Sequence, residues 1–276
     1  MRQRIGIFGC GTIGREVMTA VASGAVPDSK IGGVYDRNPE RVDRALAATD
    51  GLDAGLRCGD PLALSAECDV VLECAGHSAV AEFAVQLLET GTDLLVLSVG
   101  ALADTDLHDE IIETARANDA RFEVPSGALA GVDAIKGAAV NGELDEVVFT
   151  TVKPPEGLAG APHVEQSEID LDTVTEKRLV FEGSAREAAP AFPANINVAM
   201  ALSLAGLGAA ETVVKIYADP DERDNVHVIE ADGGAGSMEM TFHTVPHPDN
   251  PKTSYIAALS AIASLKRRTE PLVVGT

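Results

Sequence analysis

The chain has 276 residues, enough for one large domain or two modest ones, with 46% hydrophobic and 23% charged residues, a globular balance that excludes a disordered chain. Forty-three acidic residues against 21 basic ones give a net charge of −22, which repels phosphate backbones and anionic membrane surfaces. Aromatics are 4% and tryptophan is absent, so no base-stacking platform is expected, and neither a nucleic acid nor a membrane is expected as partner.

The first 124 residues alternate short apolar runs with helical stretches. Arg4–Phe8 (RIGIF), Gly32–Tyr35, Val70–Glu73, Leu94–Leu97 and Arg121–Val124 read as strands. Ile13–Ser23, Pro39–Ala48, Val80–Glu89 and Asp106–Asn118 read as helices, with Asn38 as N-cap ahead of Pro39. Near-continuous apolar strands separated by helices predict a doubly wound parallel sheet of Rossmann type over 1–124. The pattern changes after Pro125. A helix is expected over Leu129–Asn141, a strand over Glu146–Lys153 and a loop rich in proline and glycine after it. A short strand (Arg178–Phe181) and an apolar helix after Phe192 follow, the latter with Asn195 as its expected N-cap. Thr212–Ala218, Val226–Ala231 and Ser237–Phe242 are three successive strands whose turns suit antiparallel neighbours. Pro251–Arg268 reads as a helix, its terminal Lys266, Arg267 and Arg268 complementing the helix dipole. The expectation is α/β: the first domain, an α+β domain over 125–250 on an open, mostly antiparallel sheet, and a helical segment over 251–276 returning to the first.

Gly9-Cys10-Gly11-Thr12-Ile13-Gly14 fits G-x-G-x-x-G between a strand and a helix. Gly9 permits the tight turn, Gly11 removes a side chain where a pyrophosphate approaches, and Gly14 lets helix and strand pack closely. The phosphates then sit on N–H groups at the helix start, where Thr12 and Ile13 lie. Asp36 ends the second strand, 22 residues after Gly14, where a carboxylate takes the adenosine ribose hydroxyls. The cofactor expected is NAD. Arg37 follows directly and can neutralise a 2′-phosphate, which keeps NADP open.

Glu73-Cys74-Ala75-Gly76-His77 closes a strand at the carboxyl edge where such sheets bind ligands. There His77 contacts a nicotinamide ribose or merely opens the next helix. Cys10, Cys58, Cys68 and Cys74 show no C-x-x-C pair and no metal-ligand spacing, so no metal is expected and a reducing cytoplasm is the default. Cys10 and Cys74 read as packing residues before nucleophiles. The N-terminus has no apolar run of signal-peptide length, and Ala188–Ala210 is too broken by proline, asparagine and glycine for a span. Only seven of the 21 basic residues are lysine, which suits an acidic protein of a high-salt, halophilic cytosol.

Five segments of the second half carry a more specific signal: SGALAGVDA (126–134), KPPEGLAGAP (153–162), FEGSAREAAPAFPANINVAMALSLAGLG (181–208), YADP with NVHVIE (217–230) and NPKTSYIAALSAIASLKR (250–267). Together they resemble the L-aspartate dehydrogenase family, over essentially the whole chain. The resemblance implies NAD(P)-dependent oxidative deamination of L-aspartate to iminoaspartate, the reverse being reductive amination of oxaloacetate with ammonia. It further implies a supply to NAD biosynthesis and a homodimer. By motif, Ala128 and Asn197 match cofactor-contacting positions and His227 the catalytic histidine. The chain departs from the family pattern at Lys177-Arg178, where Glu-Pro is usual, and at Val228, where a glutamate beside the histidine would alter its proton affinity. From the residues alone, His227 between Val226 and Val228 also reads as strand packing, and Ala128 acts only through its backbone. Asn197 in a first helical turn favours a contact role. Lys153 and His163 are open as grips for a substrate carboxylate or as surface residues. A homoserine dehydrogenase-like or dihydrodipicolinate reductase-like enzyme, and a catalytically silent NAD-binding regulator, are the alternatives.

Overall fold

The computed structural model describes residues 2–193 and 196–275, with the backbone alone at 251 and 252; Asn195 and its expected capping role lie outside the described residues. The chain falls into two units, Met1–Pro125 with Ala257–Val274, and Ser126–Ile256 with Gly275–Thr276.

The first unit runs β1 (Gln3–Phe8), α1 (Thr12–Ala22), β2 (Ser29–Tyr35), α2 (Pro39–Ala48), α3 (Ala63–Glu67), β3 (Val70–Glu73), α4 (His77–Glu89), β4 (Asp93–Val96), α5 (Thr105–Ala117) and β5 (Phe122–Glu123). Its strands lie in the order β2-β1-β3-β4-β5, all parallel, so the doubly wound reading of the first half holds. Ile5, Ile7, Val70, Leu72, Leu94 and Leu95 are buried, as strands covered on both faces require. Asn38 caps α2 by accepting the Glu40 N–H at 3.0 Å, with Pro39 in the first turn. Helix α4 starts three residues before the expected Val80, at His77, because Gly76 at φ +132° turns the chain directly out of the sheet.

Cysteine packing explains two glycines of β2. A Cβ on Gly32 would stand 2.9 Å from the Cys68 sulfur, and one on Gly33 would stand 2.8 Å from that of Cys58. All four cysteines are free thiols, and burial pushes the Cys10 and Cys68 thiols up to about 12. The Cys74 thiol, also raised by burial, donates to the Gly9 carbonyl at 3.1 Å. These are packing groups held in the thiol form, which a nucleophile is not.

The second unit runs α6 (Val132–Val140), β6 (Glu146–Lys153), α7 (Pro162–Gln166), β7 (Arg178–Ser184), α8 (Ala185–Ala191), α9 (Asn197–Ala205), β8 (Val213–Ala218), β9 (Asn225–Asp232), β10 (Met238–Thr244), β11 (Pro246–His247) and β12 (Asn250–Ser254). Its five-stranded sheet has the order β10-β9-β6-β8-β7. All pairings are antiparallel except β6 with β8. The expectation that β8 and β9 neighbour each other is corrected: β6 lies between them. Its Val147 and Phe149 are fully buried, and an apolar strand of that kind takes the centre while the shorter β7 and the exposed β10 take the edges. In β8 the residues Val214, Ile216 and Ala218 are buried and their alternates half-buried, so one face of the sheet packs on the unit's helices.

Two helix boundaries also shift. The expected helix over 129–141 begins only at Val132, after Gly131 adopts φ +71° with the Met240 sulfur against it. The helix expected from Pro251 begins at Tyr255, because residues 250–254 pair with β11 first. The uncharged stretch over 188–210 forms the end of α8 and all of α9, with Ser184 and Glu187 closing a capping box on α8. No helix among the described residues is long and apolar enough to cross a membrane.

The last helix, α10 (Tyr255–Arg267), brings Ala261 and Leu265 into the same core as Ile5 and Val17 of the first unit. Lys266 and Arg267 occupy its last turn, as the dipole favours. Arg268 does something else: its guanidinium pairs with Asp93 at the start of β4 and Glu123 at the end of β5.

Candidate active site

The first unit presents its ligand-binding edge where β1 and β3 end side by side, the point at which strand order reverses in such sheets. Gly9 sits there at φ +114°, and a Cβ on it would stand 2.8 Å from the Cys74 and Ala75 backbone. A Cβ on Gly14 would collide with the Gly9 carbonyl, so α1 can approach the loop only with glycine at 14. Gly11 differs from both. Among the described residues, nothing lies within 4 Å of where its Cβ would be. The N–H groups of Gly11, Thr12 and Ile13 find no acceptor among the described residues. Open space in front of unaccepted N–H groups at a helix start fits a pyrophosphate.

Asp36 is bound from two sides. Its carboxylate accepts the Cys10 N–H and the Asn38 N–H, each at 2.8 Å, which ties the end of β2 to the glycine loop. Each oxygen keeps lone-pair capacity for a ribose hydroxyl. Beside it opens a pocket of about 340 Å³ lined by Phe8, Tyr35, Asp36, Arg37, Arg41 and Phe83, among others. Aromatic walls with two guanidinium groups at the rim suit an adenosine. Arg41 was not legible as a site residue, because it stands among the exposed charges Glu40, Asp43 and Arg44 of α2.

Glu73 organises the same edge. It is 3% exposed, and its carboxyl accepts N–H groups from Ala75, Gly76 and Ser98 together with the Ser98 hydroxyl. These bonds favour the charged form, but burial outweighs them and raises its proton affinity. The signal for it in the sequence is an acidic residue closing the otherwise apolar strand VVLE. His77 opens α4 next to this loop and is half-buried.

The second unit holds the remaining candidates. Ala128 is buried in the turn before α6, and Asn197 is the first residue of α9. His163 is half-buried, its ring 5.3 Å from that of Phe181 and 5.5 Å from that of Phe192. It is thus neither a surface residue nor visibly a carboxylate grip, but part of an aromatic cluster.

His227 lies in β9, 4% exposed, directly across from Thr151 of β6. Its ring packs on Phe149 with centroids 5.4 Å apart. Burial, and after it the nearby Lys153 charge, pushes its value down to about 3 from the usual 6.5. The imidazole is therefore neutral at any cytosolic pH. Lys153 is half-buried and not an open surface residue, and burial pushes its value down to about 8. Val228 pairs with Thr150 and Thr241 on the other face of the strand, so the departure from the family pattern there points away from the imidazole. The departure at Lys177 places an ammonium 4.8 Å over the Tyr217 ring.

Two family models cover nearly all of the chain. One, described as the NAD binding domain of homoserine dehydrogenase, matches residues 9–125, and the other, aspartate dehydrogenase, C-terminal, matches residues 133–268. The L-aspartate dehydrogenase of Methanosarcina barkeri is 41% identical over 278 residues, covering 99% of each chain. The chain belongs to the L-aspartate dehydrogenase family. The L-aspartate dehydrogenase of Ralstonia pickettii is 39% identical and covers 98% of this chain and 99% of its own. Among solved structures, an aspartate dehydrogenase from Thermotoga maritima superposes with a TM-score of 0.73 at 24% identity, each chain covered fully. A hyperthermophilic archaeal homoserine dehydrogenase in complex with NADPH gives 0.60 at 13% identity over the full length of both, a likeness of fold. As an L-aspartate dehydrogenase family member the chain is an NAD(P)-dependent oxidoreductase, and the open glycine edge of its first unit fits that cofactor.

Proposed function

We propose that this protein oxidises L-aspartate to iminoaspartate with NAD or NADP, and in reverse aminates oxaloacetate with ammonia, with His227 as the proton-transferring group. The observation that carries the reading is the imidazole itself: a buried histidine whose Nδ1 has no hydrogen-bond partner among the described residues. A packing histidine normally has both ring nitrogens satisfied or wet.

The dinucleotide, when bound, accepts a hydride from the substrate carbon. Gly9, Gly11 and Gly14 shape the loop, and the N–H groups of Gly11, Thr12 and Ile13 bind its phosphates. Asp36 takes a ribose hydroxyl, while Arg37 tolerates a 2′-phosphate. Ala128 through its backbone and Asn197 through its amide complete the set. Amine oxidation needs the substrate nitrogen to shed its ammonium proton, so that its lone pair can stabilise the cation forming at the carbon. A neutral imidazole is the state that can accept that proton, and burial keeps His227 neutral. Two incoming carboxylates raise its proton affinity at the moment it is needed.

The same proposal includes a cytoplasmic homodimer whose product enters NAD biosynthesis. Four free thiols support the compartment. The half-buried Val148, Val213 and Val228 on the second sheet support a self-association face. Reduction of NAD and NADP, assayed in turn with L-aspartate, L-homoserine and D-aspartate, tests the reaction. Turnover confined to L-aspartate supports it; preference for L-homoserine supports the rival reductase, and no turnover with any of them supports a silent regulator.

A further inference from the structure

The strand register of the second unit sets a polar group where a core would place an apolar one. Thr151 of β6 stands opposite His227 of β9, and directly opposed residues project from the same face of a sheet. Thr151 is 2% exposed, and its Oγ1 has no hydrogen-bond partner among the described residues. His227 Nδ1, beside it, is in the same condition. Two neighbouring polar atoms kept from water without partners carry a desolvation cost that folding has no reason to retain, and an arriving ligand removes it. Lys153 is two residues beyond Thr151 and therefore shares the face. The register that sets Thr151 opposite His227 leaves Lys153 one same-face position further along β6, where its charge lowers the proton affinity of the imidazole. On the other side of Thr151, Phe149 packs against the imidazole and gives the face an apolar wall. The face thus combines a half-buried cation, a buried hydroxyl donor and a buried imidazole against a flat ring. In a chain of net charge −22, one half-buried cation beside a buried imidazole selects an anion.

We propose that Lys153 and Thr151 form the carboxylate subsite of this protein: the Lys153 ammonium pairs with a substrate carboxylate, the Thr151 hydroxyl donates to the same group, and the two hold the substrate amine at His227. This deepens the reading that the substrate is L-aspartate and rests on it. Either carboxylate of aspartate has the required chemistry, and the test separates them. The ammonium carries three donors, so any bond it makes within the protein leaves capacity for the substrate.

The test uses succinate, a dicarboxylate without an amine, titrated calorimetrically onto the full-length protein with and without NADH, together with steady-state kinetics on L-aspartate. Lys153→Met is expected to weaken succinate binding and raise KM for L-aspartate by roughly 10–100-fold, with a smaller change in kcat. Lys153→Arg is expected to restore most of both. If Lys153 holds the side-chain carboxylate, Lys153→Met leaves kcat/KM for L-asparagine nearly unchanged; if it holds the α-carboxylate, activity on both amino acids falls together. Thr151→Val provides a readout that a structural role would not give. Replacing a partnerless hydroxyl by a methyl is expected to raise the Tm of the ligand-free protein while weakening succinate binding about tenfold. Succinate affinity and KM within about twofold of the unaltered protein in both Lys153→Met and Thr151→Val would overturn the subsite. Absence of L-aspartate turnover in the unaltered protein would instead overturn the reading on which it rests.

Discussion

Asp36 accepts the Cys10 N–H at 2.8 Å, so the residue expected to take the ribose also fastens the glycine loop. Asp36→Ala is therefore expected to weaken both cofactors by loosening the loop, and NAD more than NADP. The extra loss for NAD is about 1–3 kcal/mol, the value of a charge-assisted bond. Asp36→Asn keeps one acceptor oxygen, and with it on the Cys10 N–H it gives up the Asn38 N–H, so it should show the NAD-specific loss with a smaller loss common to both cofactors than Asp36→Ala. Fluorescence titration of NADH and NADPH measures both; equal losses for the two cofactors in Asp36→Asn would show that the carboxylate does not touch the ribose.

Arg268 joins the C-terminal helix to Asp93 and Glu123 while only 16% exposed. Arg268→Ala leaves two acidic groups facing each other without their cation, at a cost of about 2–4 kcal/mol. Thermal melting should show a Tm several degrees lower, and Arg268→Lys, which cannot span both carboxylates in fork geometry, should recover only part of it.

The glycine fingerprint and the first sheet were legible because each depends on local chain geometry: Gly9 and Gly14 are required by backbone approach, and VVLE or RIGIF can only be buried strands. The neighbours of β6 were not. Which strands flank it is decided by distant burial of Val147 and Phe149, and the turns after β8 and β9 carry no trace of that choice. The start of α10 at Tyr255 was hidden for a related reason, since residues 250–254 become a strand only through pairing with β11. In the candidate site, His227 was found through its motif, but the depth of its burial was not. The partnerless Thr151 was missed because TTVK alternates like any half-buried strand, and only the register reveals that it faces the histidine.

Burial of His227 sets an acid limit on stability. Its folded value of about 3 lies below the 6.5 of the exposed group. Between those values the unfolded chain binds the extra proton, so stability rises with pH across that window and is lost as pH falls from 6.5 toward 3. The full effect is on the order of 5 kcal/mol. His227→Gln removes it, and its acid unfolding midpoint, followed by circular dichroism, should move to lower pH. Lys153 acts at the other end. Its folded value near 8 against 10.5 unfolded means that stability grows as pH rises through that interval, and Lys153→Met should abolish the gain.

A net charge of −22 on 276 residues builds in self-repulsion that counterions screen. Tm and activity should both rise between dilute buffer and molar potassium chloride. A protein that is most stable and most active in dilute buffer would remove the high-salt reading.

The measurement that bears most directly on the account is the kinetics of His227→Ala set beside its affinity for NAD. If His227 moves the amine proton, kcat for L-aspartate falls by about 10²–10⁴ while the NAD dissociation constant stays within about twofold. A variant that keeps most of its kcat would make His227 a packing residue of β9 and place the proton transfer on another group.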